Sequence, residues 1–370
     1  MNRLRVIVPA FPPMPSGVGD YALFLARGFR DRGEFDSSFI VANPRWDGDP
    51  DHEGFSATAF PQRNAAALAK LLSEDDSPVL LHYSGYGYQQ RGVPIWLWRG
   101  LRQWRRATNG RIVTMLHEVS ASGPPWTSAF WLGPLQHWIA GRLVYRSTAV
   151  ITNREASAGA ADRFRHHREP LTRVVPIFST IGEPTQVRPL AQRSRRVVVF
   201  GSAPWRIQAY TDYRLSLEKT IRAFGATEVA DIGPRCGIEP KNLAGATVRA
   251  WGRLEADEVL AIMSDSIAGF VCYPADYLAK SGIFNSYCTT GMVPVTPDRR
   301  RPALDGLVPG KHFLLVGENP LCDDPGRWQS VADAAREWYS GHSLEATTSA
   351  FLEVLNSTVA PRATPATATA

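Results

Sequence analysis

Lysine is scarce in this chain of 370 residues: Lys70, Lys219, Lys241, Lys280 and Lys311 are the only ones, so the formal net charge of +6 rests on arginine. Arginine's planar fork suits phosphate-bearing and carboxylate partners, but so modest an excess is no signature of nucleic-acid binding. Cysteine is rarer still. Cys236, Cys272, Cys288 and Cys322 have neither zinc-site spacing nor a disulfide-rich context, which points to reduced thiols and a cytosolic setting. No run of about eighteen apolar residues occurs, so no helix able to span a bilayer is expected. The amino terminus lacks a charged start, apolar stretch and small-residue cleavage site in that order, so secretion is not expected.

What is present is the composition of a folded globular protein, long enough for about two domains. Leu4 to Pro9 reads as a first strand, Phe11 to Ser16 as a proline-broken loop ending at Gly17-Val18-Gly19-Asp20, and Tyr21 to Arg32 as a helix closed by Gly33. Strand, glycine loop and helix open a Rossmann-like unit. The third glycine of the dinucleotide fingerprint is missing, and no acidic residue ends a clear second strand, which disfavours a nicotinamide oxidoreductase. Further strands are expected at Phe39 to Ala42, Val79 to Tyr83, Ile112 to Leu116, Ala149 to Thr152 and Val174 to Ile177, with helices at Arg63 to Leu72 and Trp96 to Arg106. Such alternation predicts a parallel sheet covered by helices, with ligands at the carboxyl ends of its strands. Gly17 to Asp20, Ser84 to Tyr88 and His117-Glu118 fall at those ends.

Thr185 to Arg196 has little apolar content and reads as a linker. After it, Val197 to Phe200, Glu228 to Ile232 and Thr247 to Ala250 are expected strands. Gly201 to Arg206 is an expected loop, and helices are expected at Ser216 to Phe224, Leu254 to Met263, Gln329 to Trp338 and Leu344 to Leu355, with a short strand at His312 to Val316. The chemistry-bearing stretch of this half is Ile267 to Thr296. A buried strand runs to Tyr273 and breaks at Pro274 and Asp276; a helix then begins around Lys280, Ser281 and Gly282, with Ile283, Phe284 and Tyr287 as its apolar face. Gly291 ends that helix before a strand from Val293 to Thr296. Free N–H groups, a glycine and a lysine at a helix start suit a phosphate or diphosphate. An ordinary strand-turn-helix with a solvated lysine fits the same residues.

Each candidate has such a plainer alternative. His117 can exchange a proton near neutrality or can simply bond a neighbouring loop, and Glu118 can orient it or bind a hydroxyl. Asp20 and Tyr21 fit a sugar-hydroxyl pair or a helix cap. Arg206, in G-S-A-P-W-R, can hold a diphosphate or lie beside a packed tryptophan; no G-K-[ST] follows, so a Walker loop is excluded. Trp96, Trp98, Trp104, Trp126, Trp131 and Trp138 are interleaved with arginines. That mixture fits sugar stacking, an anionic membrane surface or single-stranded nucleic acid, and equally a helix core with a solvated basic face.

In this order the motifs P-P-M-P-S-G-V-G-D-Y-A-L-F-L-A, His117, G-S-A-P-W-R and A-W-G-R-L-E-A-D-E-V before the 267–296 stretch resemble the GT-B glycosyltransferases, specifically retaining family 4. The resemblance implies two Rossmann-like α/β domains whose parallel sheets face a central cleft, divided as residues 1–188 and 189–356 with a disordered tail, 357–370. By the resemblance Gly17 and Gly19 match the family's first loop, His117 its donor-sugar histidine, Gly201 its second-domain loop glycine and Arg206 one of its basic pair. Joined to the reading of the residues themselves, this gives an expected donor site of Gly17, Gly19, Gly201, Ser202, Lys280, Ser281, Gly282 and Ile283, an expected catalytic group of His117, Glu118, Arg206 and Lys280, and Asp20, Tyr21 and Tyr86 on the acceptor side. Neither a metal nor a cofactor is implied; the substrate is a nucleotide-diphosphate sugar and the acceptor a glycan or lipid-linked molecule, not a nucleic acid. The implied setting is cytoplasmic, with peripheral contact to the anionic inner face of a membrane. The family's E-x7-E pattern is absent: Leu278 and Ser286 stand at the two glutamate positions. That departure keeps open a non-catalytic module that binds a sugar nucleotide or glycan within a membrane-associated assembly.

Overall fold

A computed structural model describes residues 1–121, 123–238, 240–297, 301–317 and 324–359. The chain forms two compact units, Met1–Val175 joined by the segment from Thr348 onward, and Pro176–Thr347. The strands of the first are β1 Asn2–Val8, β2 Phe35–Val41, β3 Asp51–His52, β4 Phe55–Ala59, β5 Val79–Tyr83, β6 Ile112–Leu116, β7 Ala149–Thr152 and β8 Arg173–Val174. They lie in the order β3-β4-β2-β1-β5-β6-β7-β8, all parallel except the β3–β4 hairpin. All five residues of β5 and of β6 are buried, as strands covered on both faces must be. The helices are α1 Gly17–Asp31, α2 Ala65–Leu72, α3 Gly85–Tyr88, α4 Ile95–Thr108, α5 Ser128–Arg146 and α6 Glu155–Phe164.

The second unit orders its sheet β11-β12-β10-β9-β13-β14-β15, from β9 Ser194–Phe200, β10 Glu228–Ile232, β11 Asn242–Leu243, β12 Ala246–Gly252, β13 Ser266–Phe270, β14 Val293–Pro297 and β15 Leu314–Val316. Its helices are α7 Ala203–Tyr210, α8 Arg214–Ala223, α9 Ala256–Ser264, α10 Gly282–Thr289 and α11 Pro325–Ser340, followed by α12 Leu344–Val359. From Thr348 on, α12 belongs to the first unit. Phe351 packs its ring against Tyr21 and Phe29 there, and Thr348 lies against Gly28. Val197, Val199, Leu217, Ile221, Phe224, Val229, Phe270 and Val295 form the core between β9, β10, β13, β14 and α8. Each such side chain contributes about 1.5–3 kcal/mol by leaving water.

Several sequence expectations change. The boundary expected at 188/189 lies at 175/176. The stretch read as a linker is docked on the second unit, because its arginines find carbonyls rather than water: Arg193 donates to Ser266 O at 3.1 Å and Thr290 O at 2.9 Å, and Arg188 pairs with Asp265 at 2.7 Å. Residues 201–206 are not all loop. Pro204 reads as a breaker but occupies the first turn of α7, where its missing N–H costs nothing. Pro134 similarly hides α5, which runs through it. Of the tail expected to be disordered, 357–359 continue α12, and 360–370 lie outside the described residues, as does Cys322.

Candidate functional site

In each sheet the first strand sits where the chain reverses its direction of travel, with β1 between β2 and β5, and β9 between β10 and β13. Crevices at such switch points are where open α/β sheets take ligands. Several of the expected residues lie near these two places, which are described separately.

At the β1/β5 switch point, α1 starts at Gly17, so the G-V-G-D segment is the first helical turn rather than a loop. Ser16 caps it, accepting from the Gly19 N–H at 3.1 Å. A Cβ on Gly19 would fall 2.5 Å from the Ala10 carbonyl oxygen, whereas one on Gly17 would meet nothing within 4 Å. Glycine at 19 is thus a packing requirement. Gly19→Ala is expected to destabilise the protein by about 1–3 kcal/mol, with Gly17→Ala near neutral; paired thermal melts check this.

Two residues beyond Gly19, the chain turns a tyrosine inward. Tyr21 is 2 % exposed, with its ring edge-on to His117 at 5.4 Å and to His82 at 5.9 Å. This corrects its assignment to the acceptor side: burial makes it a wedge behind His117, and raises its hydroxyl pKa far above the ordinary value. His117 follows β6, donates its backbone N–H to Tyr83 O at 3.0 Å, and brings its Nε2 to 3.2 Å from Nδ1 of His82 on β5. His82 is fully buried, burial pushes its pKa down to about 3, and its Nε2 has no partner. An orphan N–H is costlier than an orphan lone pair, so the proton belongs on His82 Nδ1, donating to His117 Nε2. His117 then carries its own proton on Nδ1. Sequence reading passed over His82 because a histidine inside V-L-L-H-Y looks like any strand residue; its meeting with His117 needs the parallel β5–β6 register.

Around this pair, Glu118 is exposed and accepts from Ser84 Oγ at 3.4 Å. Tyr86 is exposed, and its hydroxyl accepts from Gln136 Nε2 at 3.2 Å. Asp20 is half-buried, and desolvation holds its carboxyl above the usual range.

His82 has a counterpart in the second unit, the buried His342, also pushed down to about 3 by burial. Both are neutral in the folded protein and charge at about pH 6.5 when unfolded. Between pH 6.5 and 3 the unfolded chain therefore binds more protons, and stability present above that window is lost as pH falls through it. His82→Gln is expected to flatten this acid slope in denaturant titrations run at stepped pH.

At the β9/β13 switch point, Gly201 ends β9 at φ 130°, and a Cβ there would stand 2.5 Å from Ile283 Cδ1 on α10. The expected donor residues Gly201, Ser202 and Lys280 to Ile283 thus lie at one switch point. Ser202 is the residue before α7, and Trp205 and Tyr273 hold their rings 4.2 Å apart beside it. Ser281 is buried and caps α10 by accepting from the Phe284 N–H at 3.2 Å. That bond uses one lone pair of its hydroxyl. Lys280 is half-buried, the last residue of a 3₁₀ turn over Ala275–Lys280, and a Cβ on Gly282 would meet nothing within 4 Å.

Arg206 stands apart from this group. Its side chain is 2 % exposed, its Nε lies 2.5 Å and its Nη2 3.0 Å from the two carboxylate oxygens of the fully buried Asp231, and its Nη1 donates to the Pro234 carbonyl. Gly233, at φ 145°, makes room for it: a Cβ there would fall 2.8 Å from Nη1. The diphosphate-binding arginine expected from sequence is an internal strut joining α7 to β10.

The two positions where family 4 would carry glutamate hold fully buried side chains. Leu278 is part of the apolar interior, and Ser286 donates to Gly282 O at 2.7 Å and lies 3.0 Å from Ser179 Oγ. Asp276 is the one carboxylate in residues 266–297, and Arg301 pairs with it at 3.2 Å. Among the described residues no three His, Cys, Asp or Glu side chains gather into a group able to hold a metal, and no helix is long and apolar enough to cross a membrane.

No protein-family model matches the chain, and no curated protein matches its sequence. Solved structures do match its fold. TarM aligns over 96% of this chain and 99% of its own, with TM-score 0.64 and 10% identity. Anabaena Alr3699/HepE in complex with UDP and glucose aligns over 96% and 100%, with TM-score 0.60 and 15% identity. An alpha-glucosyltransferase (AGT) in complex with UDP aligns over 97% and 100%, with TM-score 0.60 and 13% identity. The two sheets and these matches define a GT-B fold built of two Rossmann-like domains. One further similar structure is an alpha-glucosyltransferase with UDP and a 13-mer DNA, so the comparison lends no support to excluding nucleic acid as a partner.

Proposed function

We propose that this protein is a glycosyltransferase that moves a sugar from a nucleotide-diphosphate donor, in the manner of the family 4 enzymes its motifs resemble. The observation that carries the reading is the β9/β13 switch point. There a glycine that cannot bear a side chain meets the first turn of α10, beside Lys280. Backbone and lysine at that place suit a diphosphate. UDP, present in two of the similar structures, is the first donor nucleotide to test. Oxygen of an acceptor hydroxyl bonds to the sugar C1 as the C1–O bond to the diphosphate breaks, and the acceptor's proton passes to the leaving phosphate on the same face, so configuration is retained without a protein nucleophile or a metal. Lys280 stabilises the departing charge. Asp276, on the same unit as Lys280, takes the sugar-gripping place of the missing glutamates.

The acceptor is a glycan or lipid-linked molecule, as in polysaccharide assembly, met on the side of Asp20 and Tyr86, and the enzyme works in the cytoplasm. A second reading has its own support: with Leu278 and Ser286 buried at the glutamate positions, the chain fits a module that binds the sugar nucleotide and does not turn it over. Nucleoside diphosphate release separates them, measured across a panel of UDP-, GDP- and ADP-sugars with mixed glycan and lipid-linked acceptors. Release with at least one donor is expected. Binding without release from any donor establishes the second reading.

A further inference from the structure

The aromatic residues interleaved with arginine divide into two populations. Trp96 and Trp104 of α4 are buried in the core, as the plainer sequence reading has it. Those of α5 and the loop before it are not: Trp126 is 85% and Trp131 71% exposed, and Phe130, Leu135, Trp138 and Tyr145 are exposed as well. Along α5 the residues Trp131, Leu135, Trp138, Arg142 and Tyr145 follow one another at steps of four and three, one continuous stripe of a helix. The opposite stripe, with Ile139, Leu143 and Val144, packs into the core. A helix apolar on both sides carries a second face that the domain does not cover.

The charge around this face has one sign. Between Ser77 and Arg154 the only acidic residue is Glu118. Arg102 lies over the Trp98 ring at 5.7 Å and Arg142 over the Trp138 ring at 5.2 Å, with Trp98 and Trp138 in edge contact at 5.0 Å. Arg102, Arg106 and Arg142 all press on Arg146, and among the described residues none of the four has a carboxylate partner.

We propose that this α4–α5 face docks the protein on an anionic lipid bilayer, with Trp126, Phe130, Trp131 and Leu135 entering the headgroup–acyl boundary and the arginines meeting lipid phosphates. Tryptophan belongs at that boundary, with an apolar body and a polar N–H, and arginine stems lie along apolar surface while their heads reach phosphate. A second copy fits poorly, since a two-fold contact would set one arginine cluster against another. Duplex nucleic acid would engage the arginines but leave a stripe of leucine, phenylalanine and tryptophan without a partner. The proposal does not depend on sugar transfer, because binding is read without turnover.

The test is sedimentation of the full chain with vesicles of phosphatidylcholine alone and of phosphatidylcholine with phosphatidylglycerol. Wild type is expected to pellet with the anionic vesicles, weakening as salt rises. Trp126→Asp combined with Trp131→Asp should reduce partitioning at least about tenfold, and Arg106→Glu with Arg142→Glu by about as much, both with unchanged thermal melts. Should either variant misfold, quenching of wild-type tryptophan fluorescence by brominated anionic lipid replaces it, and absence of quenching overturns the proposal. Equal pelleting of folded variants and wild type overturns it. So does a soluble dimer that the tryptophan variant dissociates, or duplex DNA that binds through the same tryptophans more tightly than the vesicles do.

Discussion

Replacing Arg206 with alanine will destabilise the second domain by about 3–5 kcal/mol, because it leaves the Asp231 carboxylate charged and alone in a fully buried site. Nε, Nη1 and Nη2 of Arg206 each donate to an internal partner and the side chain is 2 % exposed, so the guanidinium is held inside the domain rather than presented to a substrate phosphate. Asp231→Ala should cost a comparable amount, whereas a paired Arg206→Met and Asp231→Leu should recover most of the loss, since apolar residues of similar volume replace a buried ion pair at little net cost. Denaturant unfolding of the three variants measures this. If Arg206→Ala kept full stability and lost only affinity for nucleoside diphosphates, the strut would be a donor ligand after all.

Lys280→Ala carries the second large effect. If Lys280 meets the diphosphate as charge builds on it, the variant should lose on the order of 10²–10³ in kcat, as removal of one preorganised charge-stabilising group does in other active sites. The loss should fall mainly on kcat rather than KM, because the interaction strengthens as the leaving group departs. Lys280→Arg should restore part of it. A variant with unchanged kcat would take Lys280 out of the site. The Ser281 hydroxyl caps α10, so Ser281→Ala should cost stability, by about 1 kcal/mol.

The strands were the most legible part of this molecule. Val79–Tyr83, Ile112–Leu116, Ala149–Thr152 and Glu228–Ile232 end where they are expected to, because strands buried on both faces write themselves as mainly hydrophobic segments, even with His82 or Asp231 inside them. Two helices escape the sequence reading in whole or part: 201–206, which reads as a loop, includes the start of α7 with Pro204 in its first turn, and α5, with Pro134 inside it, goes unread. Arginine misled more, since the segment around Arg188 and Arg193 has a linker's composition, and only the carbonyls and carboxylate it reaches reveal it as docked. The placement of the candidate residues at strand ends was legible, because parallel strands bring the loops after them to one edge of the sheet. Pairings between distant residues were not. Arg206 with Asp231, and His117 with His82, depend on parallel strand registers that no local pattern encodes.

Calorimetric titration with UDP and other nucleoside diphosphates tests the central claim most directly, because it needs no knowledge of the acceptor. Saturable binding of at least one of them is predicted, at one site per chain. Binding should be lost in Gly201→Val, whose side chain would occupy the space beside Ile283. No binding of any nucleoside diphosphate to the folded wild-type protein, or binding that survives in Gly201→Val, would contradict the account.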